Sequence, residues 1–352
     1  MYAQNPPVPF QREAGWKVSP AKAMTRPSKE AAKAQFRGVW AAITTPFTPD
    51  DRLDEAGLRR NMRRYTDGLH VDGIFCTGTM GEFWALTKEE RKRAVEIVVE
   101  EARGKCKVIA HTGHHSPNET VDLTRHAQEV GADFAIVINP YYPWASEDTL
   151  YEWFNVVASR VDIGIWMFDT PFSGVEFSPQ LTARIARIEG ICGIKCSRAL
   201  GHYEQARKLC GDLITFSHPS ETEFLKLMRD HGMKVHMSSA APFLMQVPGY
   251  TPLRDYAELA LAGRYKEAAA LRDGIQPLRD LNEKWLREPW LKHRIIPIHY
   301  LKAWSELLGM AGGHVRAPLP QVTELERLEM CAELEQAGLL ARLQGDQRAR
   351  AA

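Results

Sequence analysis

From residue 38 onward, short runs of β-branched and apolar residues alternate with longer segments whose apolar positions recur at helical spacing. The strand-like runs lie at 39–44, 73–77, 107–112, 134–139, 163–168, 191–195, 213–217 and 234–238. Several are almost wholly apolar, as parallel strands buried on both faces are. Between them, helix starts are marked: Thr87 precedes Glu89 and Glu90, Ser116-Pro117 precedes Glu119, and Ser178-Pro179 opens the run 181–188. Each is a residue able to cap free N–H groups, followed by Pro or an acid in the first turn. Eight such repeats joined by right-handed crossovers predict an α/β fold, the (β/α)8 or TIM barrel. An open doubly wound sheet is the competing arrangement, but it carries a glycine-rich turn after its first strand. Here that turn is Thr45-Pro46-Phe47-Thr48-Pro49-Asp50.

The strands stop near Gly263, and three helical segments follow at about 264–287, 293–308 and 323–343. The expected organisation is an N-terminal extension over 1–36, loosely ordered or docked on a partner, a barrel over 37–263, a C-terminal three-helix appendage over 264–343 and a tail over 344–352. A chain of 352 residues with no evident internal linker suits one large barrel with an appendage. Its 45 basic and 44 acidic residues leave a formal charge of +1, which offers no footprint for nucleic acid or an anionic membrane. No run is long and apolar enough to cross a bilayer, and residues 1–36 lack the apolar core of a secretion signal. The six cysteines (Cys76, Cys106, Cys192, Cys196, Cys210, Cys331) stand singly, as small core residues do in a reducing compartment. A cytoplasmic protein is expected.

In a barrel of this kind the reacting groups lie at the C-terminal ends of strands, so ionisable residues there need explaining. Lys195 ends the run Ile191-Cys192-Gly193-Ile194-Lys195, and alternation places it on the same side as Gly193 and Ile191. If that side is the interior, Gly193 leaves room for substrate beneath the amine. Desolvation lowers the pKa of such an amine, and a neutral amine is what attack on a ketone requires. The plainer alternative is a lysine that reaches solvent or pairs with a carboxylate. A second signal is Gly78-Thr79-Met80-Gly81-Glu82, a turn whose N–H groups and hydroxyl suit a carboxylate, although many Gly-x-x-Gly turns only reverse the chain. A third is Asn139-Pro140-Tyr141-Tyr142-Pro143, where a phenol could move a proton or simply pack.

Taken together, Thr45-Pro46-Phe47, G-T-M-G-E at 78–82, P-Y-Y-P at 140–143 and G-I-K at 193–195 resemble the dihydrodipicolinate synthase/N-acetylneuraminate lyase family. The resemblance runs from Gly38 to Leu343 and includes Leu-Ala-Gly-Arg-Tyr at 261–265 and Arg316-Ala317-Pro318-Leu319. It implies a homotetramer of barrels, no metal and no organic cofactor, and a small-molecule 2-oxo acid, with an aldehyde, as partners. It also implies that Lys195 forms a Schiff base, that Tyr142 belongs to a proton relay reaching a neighbouring subunit, and that Thr79 acts with them. The turn at Thr79 and Met80 would hold the substrate carboxylate, with Gly78 and Gly81 also at the substrate, and Ser238 would line the pocket.

The departures from the family pattern shape the functional expectation. The usual tyrosine at the end of strand 5 is Phe168, in Phe168-Asp169-Thr170-Pro171, and the usual second Thr of the glycine turn is Met80. The arginine of dihydrodipicolinate synthases is missing from Phe172-Ser173-Gly174, so that particular activity is not expected. Cys196 follows the lysine where an acid is common, and Ser217-His218-Pro219-Ser220-Glu221 replaces a glycine-aspartate pattern. Imidazoles could stand in for the lost phenol, which nominates His218 and, from His111-Thr112-Gly113-His114-His115, His114 as groups at the substrate. Aromatic residues (Phe83, Trp84, Trp144, Trp166, Phe168, Phe172) should crowd the mouth and favour an apolar or aromatic aldehyde. The leading expectation is an aldolase or hydratase-aldolase. A dehydratase of 2-oxo-3-deoxy sugar acids is the alternative, suggested by Gly81-Glu82-Phe83 and Leu86-Thr87, and a non-catalytic binding barrel that lost its relay is the rival from another class.

Overall fold

All eight predicted runs form strands: β1 (Gly38–Ala42), β2 (Gly73–Cys76), β3 (Lys107–His111), β4 (Phe134–Ile138), β5 (Gly164–Asp169), β6 (Ile191–Cys196), β7 (Thr215–Ser217) and β8 (Val235–Ser238). They pair in sequence order, all parallel, and β8 returns to β1 to close the barrel. The computed structural model describes residues 26–140 and 146–351, with side chains as far as 345. The three anticipated helix starts are present. Thr87 and Glu90 make a reciprocal capping box, and Ser116 and Ser178 each accept an N–H bond ahead of a proline in the first turn.

The interior is aromatic at its N-terminal end. Phe36 follows a short helix, Lys29–Gln35, and its ring centroid lies 5.1 Å from Trp40, 4.3 Å from Phe134 and 4.3 Å from Trp166. Residues 29–36, expected to be part of a loose or partner-docked extension, are instead a helix and a plug whose Ala32 and Phe36 are buried in the barrel's own floor. Glycines make this packing possible. A Cβ on Gly73 would stand 2.1 Å from the Trp40 indole, and one on Gly193 would stand 2.1 Å from the Trp166 indole.

Expectations for β5 and β6 therefore change. The space above Gly193 holds Trp166 rather than substrate, and Trp166 belongs to the floor rather than the mouth. A register shift lets Ile165 face Ile191 while Trp166 faces Gly193, so alternation breaks at the start of the strand. Ile191 turns to the layer beneath the helices, and Cys192 joins the interior cluster.

The three C-terminal segments also differ in detail. The first breaks after Asp273, ahead of Gly274 and Pro277, and then continues as Gln276–Asn282, a π-helical turn Glu283–Arg287, and Glu288–His293. Pro289 has no N–H to give and its ring crowds the preceding turn, and the wider π turn sits just ahead of it. The second is Ile298–Leu307. The third divides at Gly338, and its second part, Leu339–Ala351, is helical across most of the stretch expected to be a tail.

Candidate active site

Lys195 is the penultimate residue of β6, on the interior side, and is 6% exposed. Its Nζ lies 4.6 Å from the centroid of the Phe75 ring and 5.2 Å from that of Phe168, two rings set edge to face 5.8 Å apart. Among the described residues no carboxylate pairs with it. Burial alone pushes its pKa down from 10.5 to about 7. Ring faces favour a cation, but they replace water poorly, and the loss of hydration wins.

The amine opens into a cavity of about 700 Å³ at the C-terminal ends of the strands. Gly78, Thr79, Met80, Phe168, His218 and Ser238, all nominated from the sequence, line it with Lys195. Within the turn the amides of Gly81, Glu82 and Phe83 donate back to Gly78, Thr79 and Gly78 at 3.1, 3.2 and 3.3 Å, so Gly78 to Met80 form the face presented to the cavity. Gly81 is set behind that face, its carbonyl accepting from the Thr45 hydroxyl at 2.8 Å.

Glu82 holds the turn from below. It is fully buried with a φ of 54°, a left-handed conformation that a side chain adopts only when its surroundings enforce it. Here the enforcement is an ion pair of 2.5 Å with Lys302, from the appendage helix Ile298–Leu307, and a bond of 3.1 Å from the Arg316 amide. Burial lowers the pKa of Lys302, and Glu82 opposes that fall. The appendage thus fixes the turn that faces the lysine.

Of the two nominated histidines, one reaches the cavity and one does not. His218 lines the cavity, but its Nδ1 accepts from the Ser220 amide at 3.2 Å and its Nε2 then donates to the Arg198 carbonyl at 3.0 Å. Both nitrogens are engaged, and burial lowers its pKa, so it is a neutral wall residue rather than a relay. His114 is not brought to the cavity. Its Nδ1 accepts from the Ser116 amide at 3.0 Å, within the loop that starts the next helix. Tyr142 and Trp144 lie outside the described residues.

Several wall residues carried no legible signal in the sequence. Arg279, from the appendage, makes two bonds of 2.6 and 2.7 Å to Glu221 after β7, and Tyr256 donates to the same carboxylate at 2.7 Å. Burial raises the Glu221 pKa, but this pair outweighs it and the net shift is downward. Such a partnership spans 58 residues of sequence and could not be read from spacing. Phe75 could have been found, since alternation from Gly73 puts it on the interior face.

Asp169, Cys196 and His202 gather with donor atoms within 4.8 Å of one another, the one such metal-ligand grouping among the described residues. It does not suit a cation. Arg198 donates to Asp169 at 2.7 Å, and burial holds the Cys196 thiol up at about 12. The group ties the loop after β5 to that after β6. All six cysteines are free, and no helix among the described residues is long and apolar enough to cross a membrane.

Known proteins share this fold. The model of the dihydrodipicolinate synthetase family matches residues 35–337. A 4-hydroxy-tetrahydrodipicolinate synthase of Methanothrix thermoacetophila is 34% identical over 294 residues, covering 82% of this chain and 92% of the relative. Among solved structures, dihydrodipicolinate synthase from Aquifex aeolicus superposes with a TM-score of 0.75 at 29% identity, covering 86% of this chain and 99% of the other. YagE, a prophage protein of E. coli K12 solved in complex with pyruvate, gives 0.74 at 25% identity, over 86% and 99%.

Proposed function

Since the chain belongs to the dihydrodipicolinate synthetase family and is a lyase, we propose that Lys195 forms an imine with pyruvate or another small 2-oxo acid and that the enzyme makes or breaks the bond to an apolar aldehyde. The reading rests on one observation: a buried amine with a pKa of about 7, unpaired among the described residues, at the base of a cavity. The amine adds to the 2-oxo carbon and water leaves. In cleavage the C4 hydroxyl gives up its proton, the C3–C4 bond breaks, its electrons pass into the protonated imine to give an enamine, and the aldehyde departs. A proton then returns to C3, and water releases the 2-oxo acid. The imine is itself the electron sink, so this route asks for no metal or organic cofactor.

The substrate carboxylate would sit against Thr79 and Met80. Tyr142 remains our proposal for the relay. Phe168 in place of a phenol, Met80 in place of a second Thr and the missing arginine near Phe172 support a partner other than that of dihydrodipicolinate synthase. Seryl and threonyl side chains line parts of the cavity, but the aromatic surface of Phe75, Phe168, Phe172 and Trp290 favours aldol chemistry with an apolar partner over sugar-acid dehydration. Membership of a lyase family removes the non-catalytic barrel from consideration. The proposal includes a cytoplasmic homotetramer, and light scattering on the purified protein tests the assembly.

The decisive experiment is borohydride reduction in the presence of pyruvate, followed by peptide mass spectrometry. A reduced adduct on Lys195, absent from Lys195→Ala, is expected. An unmodified Lys195 under conditions that trap a related enzyme would refute the mechanism.

A further inference from the structure

The outer half of the cavity is built by two parts of the chain that the sequence gives no reason to associate. One is the loop after β5, which carries Phe172. The other is the rod of appendage helices running from Gln276 to His293, which carries Leu286, Trp290 and Leu291. The Phe172 and Trp290 rings stack across the mouth, centroids 4.3 Å apart and planes 25° from parallel. Phe172 is 41% and Leu291 68% exposed, so this wall holds apolar surface at the edge of water, an arrangement that gains by covering an apolar occupant.

The charges around the same space are matched. Arg198 bonds to Asp169 and to the carbonyl of Thr170. Arg279 is held bidentate by Glu221, and Arg287 pairs with Glu283 at 2.9 Å. Of the charged groups lining the outer space, Glu223 has no ion pair among the described residues, and it is an acid. A second substrate with its own carboxylate would meet no uncommitted guanidinium. Drawing Arg198 or Arg279 away would strand the buried Asp169 or Glu221, and Arg287 offers only a solvent-exposed cation already paired with Glu283.

We propose that Trp290, braced by Phe172, is the specificity-determining residue of the site and that it selects an uncharged aldehyde bearing a flat apolar group, such as an aryl ring. This rests on the imine reading above. It goes beyond it by assigning the choice of partner to the appendage rather than to the barrel and by excluding anionic aldehydes.

The test uses the full chain with pyruvate and three aldehydes (benzaldehyde, acetaldehyde and succinic semialdehyde), measuring kcat and KM for condensation in wild type, Trp290→Ala and Trp290→Phe. In Trp290→Ala, KM for benzaldehyde should rise roughly ten- to hundredfold, as loss of a stacked aromatic wall does. Acetaldehyde should change by less than about twofold, because it does not reach the wall. Trp290→Phe should restore most of the benzaldehyde affinity, and succinic semialdehyde should be the poorest partner of wild type. Equal losses for benzaldehyde and acetaldehyde, a preference for succinic semialdehyde, or no condensation with benzaldehyde would each overturn the proposal. Borohydride trapping of pyruvate, run in parallel on every variant, separates the two levels. An adduct on Lys195 leaves the imine chemistry standing whatever the aldehydes show, and its absence from wild type removes both.

Discussion

The two ends of the barrel interior are made from the same kinds of residue and do opposite things. At the floor, Phe36, Trp40, Phe134 and Trp166 meet ring to ring, and Gly73 and Gly193 give up their side chains so that two indoles fit. At the mouth, Phe75 and Phe168 have an amine between them and open space above. Dryness at the floor is filled volume and stabilises the fold. At the mouth the same dryness falls on an ionisable group, costs stability, and produces a nucleophile. What separates a structural layer from a reactive one is thus a single polar atom and the absence of a neighbour to fill the gap.

The largest effect should come from removing that atom. Lys195→Met is expected to lower turnover by at least ~10³-fold, because no covalent route remains, and to raise the unfolding midpoint by a few degrees. The lysine's folded pKa of about 7 lies below its unfolded value near 10.5, so the unfolded chain binds the extra proton. Stability from this group therefore rises with pH between about 7 and 10.5, and below about 7 the fold carries the whole penalty, up to about 5 kcal/mol. Scanning calorimetry at pH 6.5 checks the sign, and a methionine variant less stable than wild type would contradict it.

Breaking the floor should give the complementary result. Phe36→Ala is expected to cost about 3–5 kcal/mol in urea titration, the range for deleting a fully packed phenyl ring, while KM for the 2-oxo acid moves less than about twofold under folding conditions. A large change in KM would show that the two ends are not independent.

A smaller effect concerns pH. Since the neutral amine reacts, imine formation by wild type should be of the order of tenfold slower at pH 6 than at pH 8, in step with a pKa of about 7. A flat stopped-flow profile across that interval would argue against the lysine as the titrating group. Smallest of all, Thr79→Val should raise KM for pyruvate several-fold, about 1 kcal/mol for one hydroxyl bond, with the adduct on Lys195 retained.

The fold was legible because its signals are local. Each strand is a short apolar run, and each helix start carries its own cap, as at Thr87, Ser116 and Ser178, so no distant information was needed. Lys195 and the turn at Gly78 were legible for the same reason, lying at the ends of recognisable strands. What failed depended on packing. Gly193 looked like room for substrate because the sequence does not say that Trp166, on the neighbouring strand β5, fills the gap. Ile191 was assigned by alternation, which a bulge breaks without changing composition. His114 was nominated by residue type, but its hydrogen bond to the Ser116 amide belongs to a loop outside the cavity; His218 does line the cavity, with both ring nitrogens held by backbone. The wall around Trp290 and Arg279 was invisible because long-range docking of the appendage creates it.

The lowered pKa of Lys195 has one physical source, the exclusion of water, with no neighbouring cation enforcing it. In a chain still emerging from synthesis, or in a molecule whose mouth has opened, the same side chain reverts to an ordinary ammonium, of which only roughly one in a few thousand is deprotonated at neutral pH. Reactivity toward carbonyl compounds is therefore conferred by folding itself, and unfinished or damaged copies carry a safety catch against indiscriminate adducts.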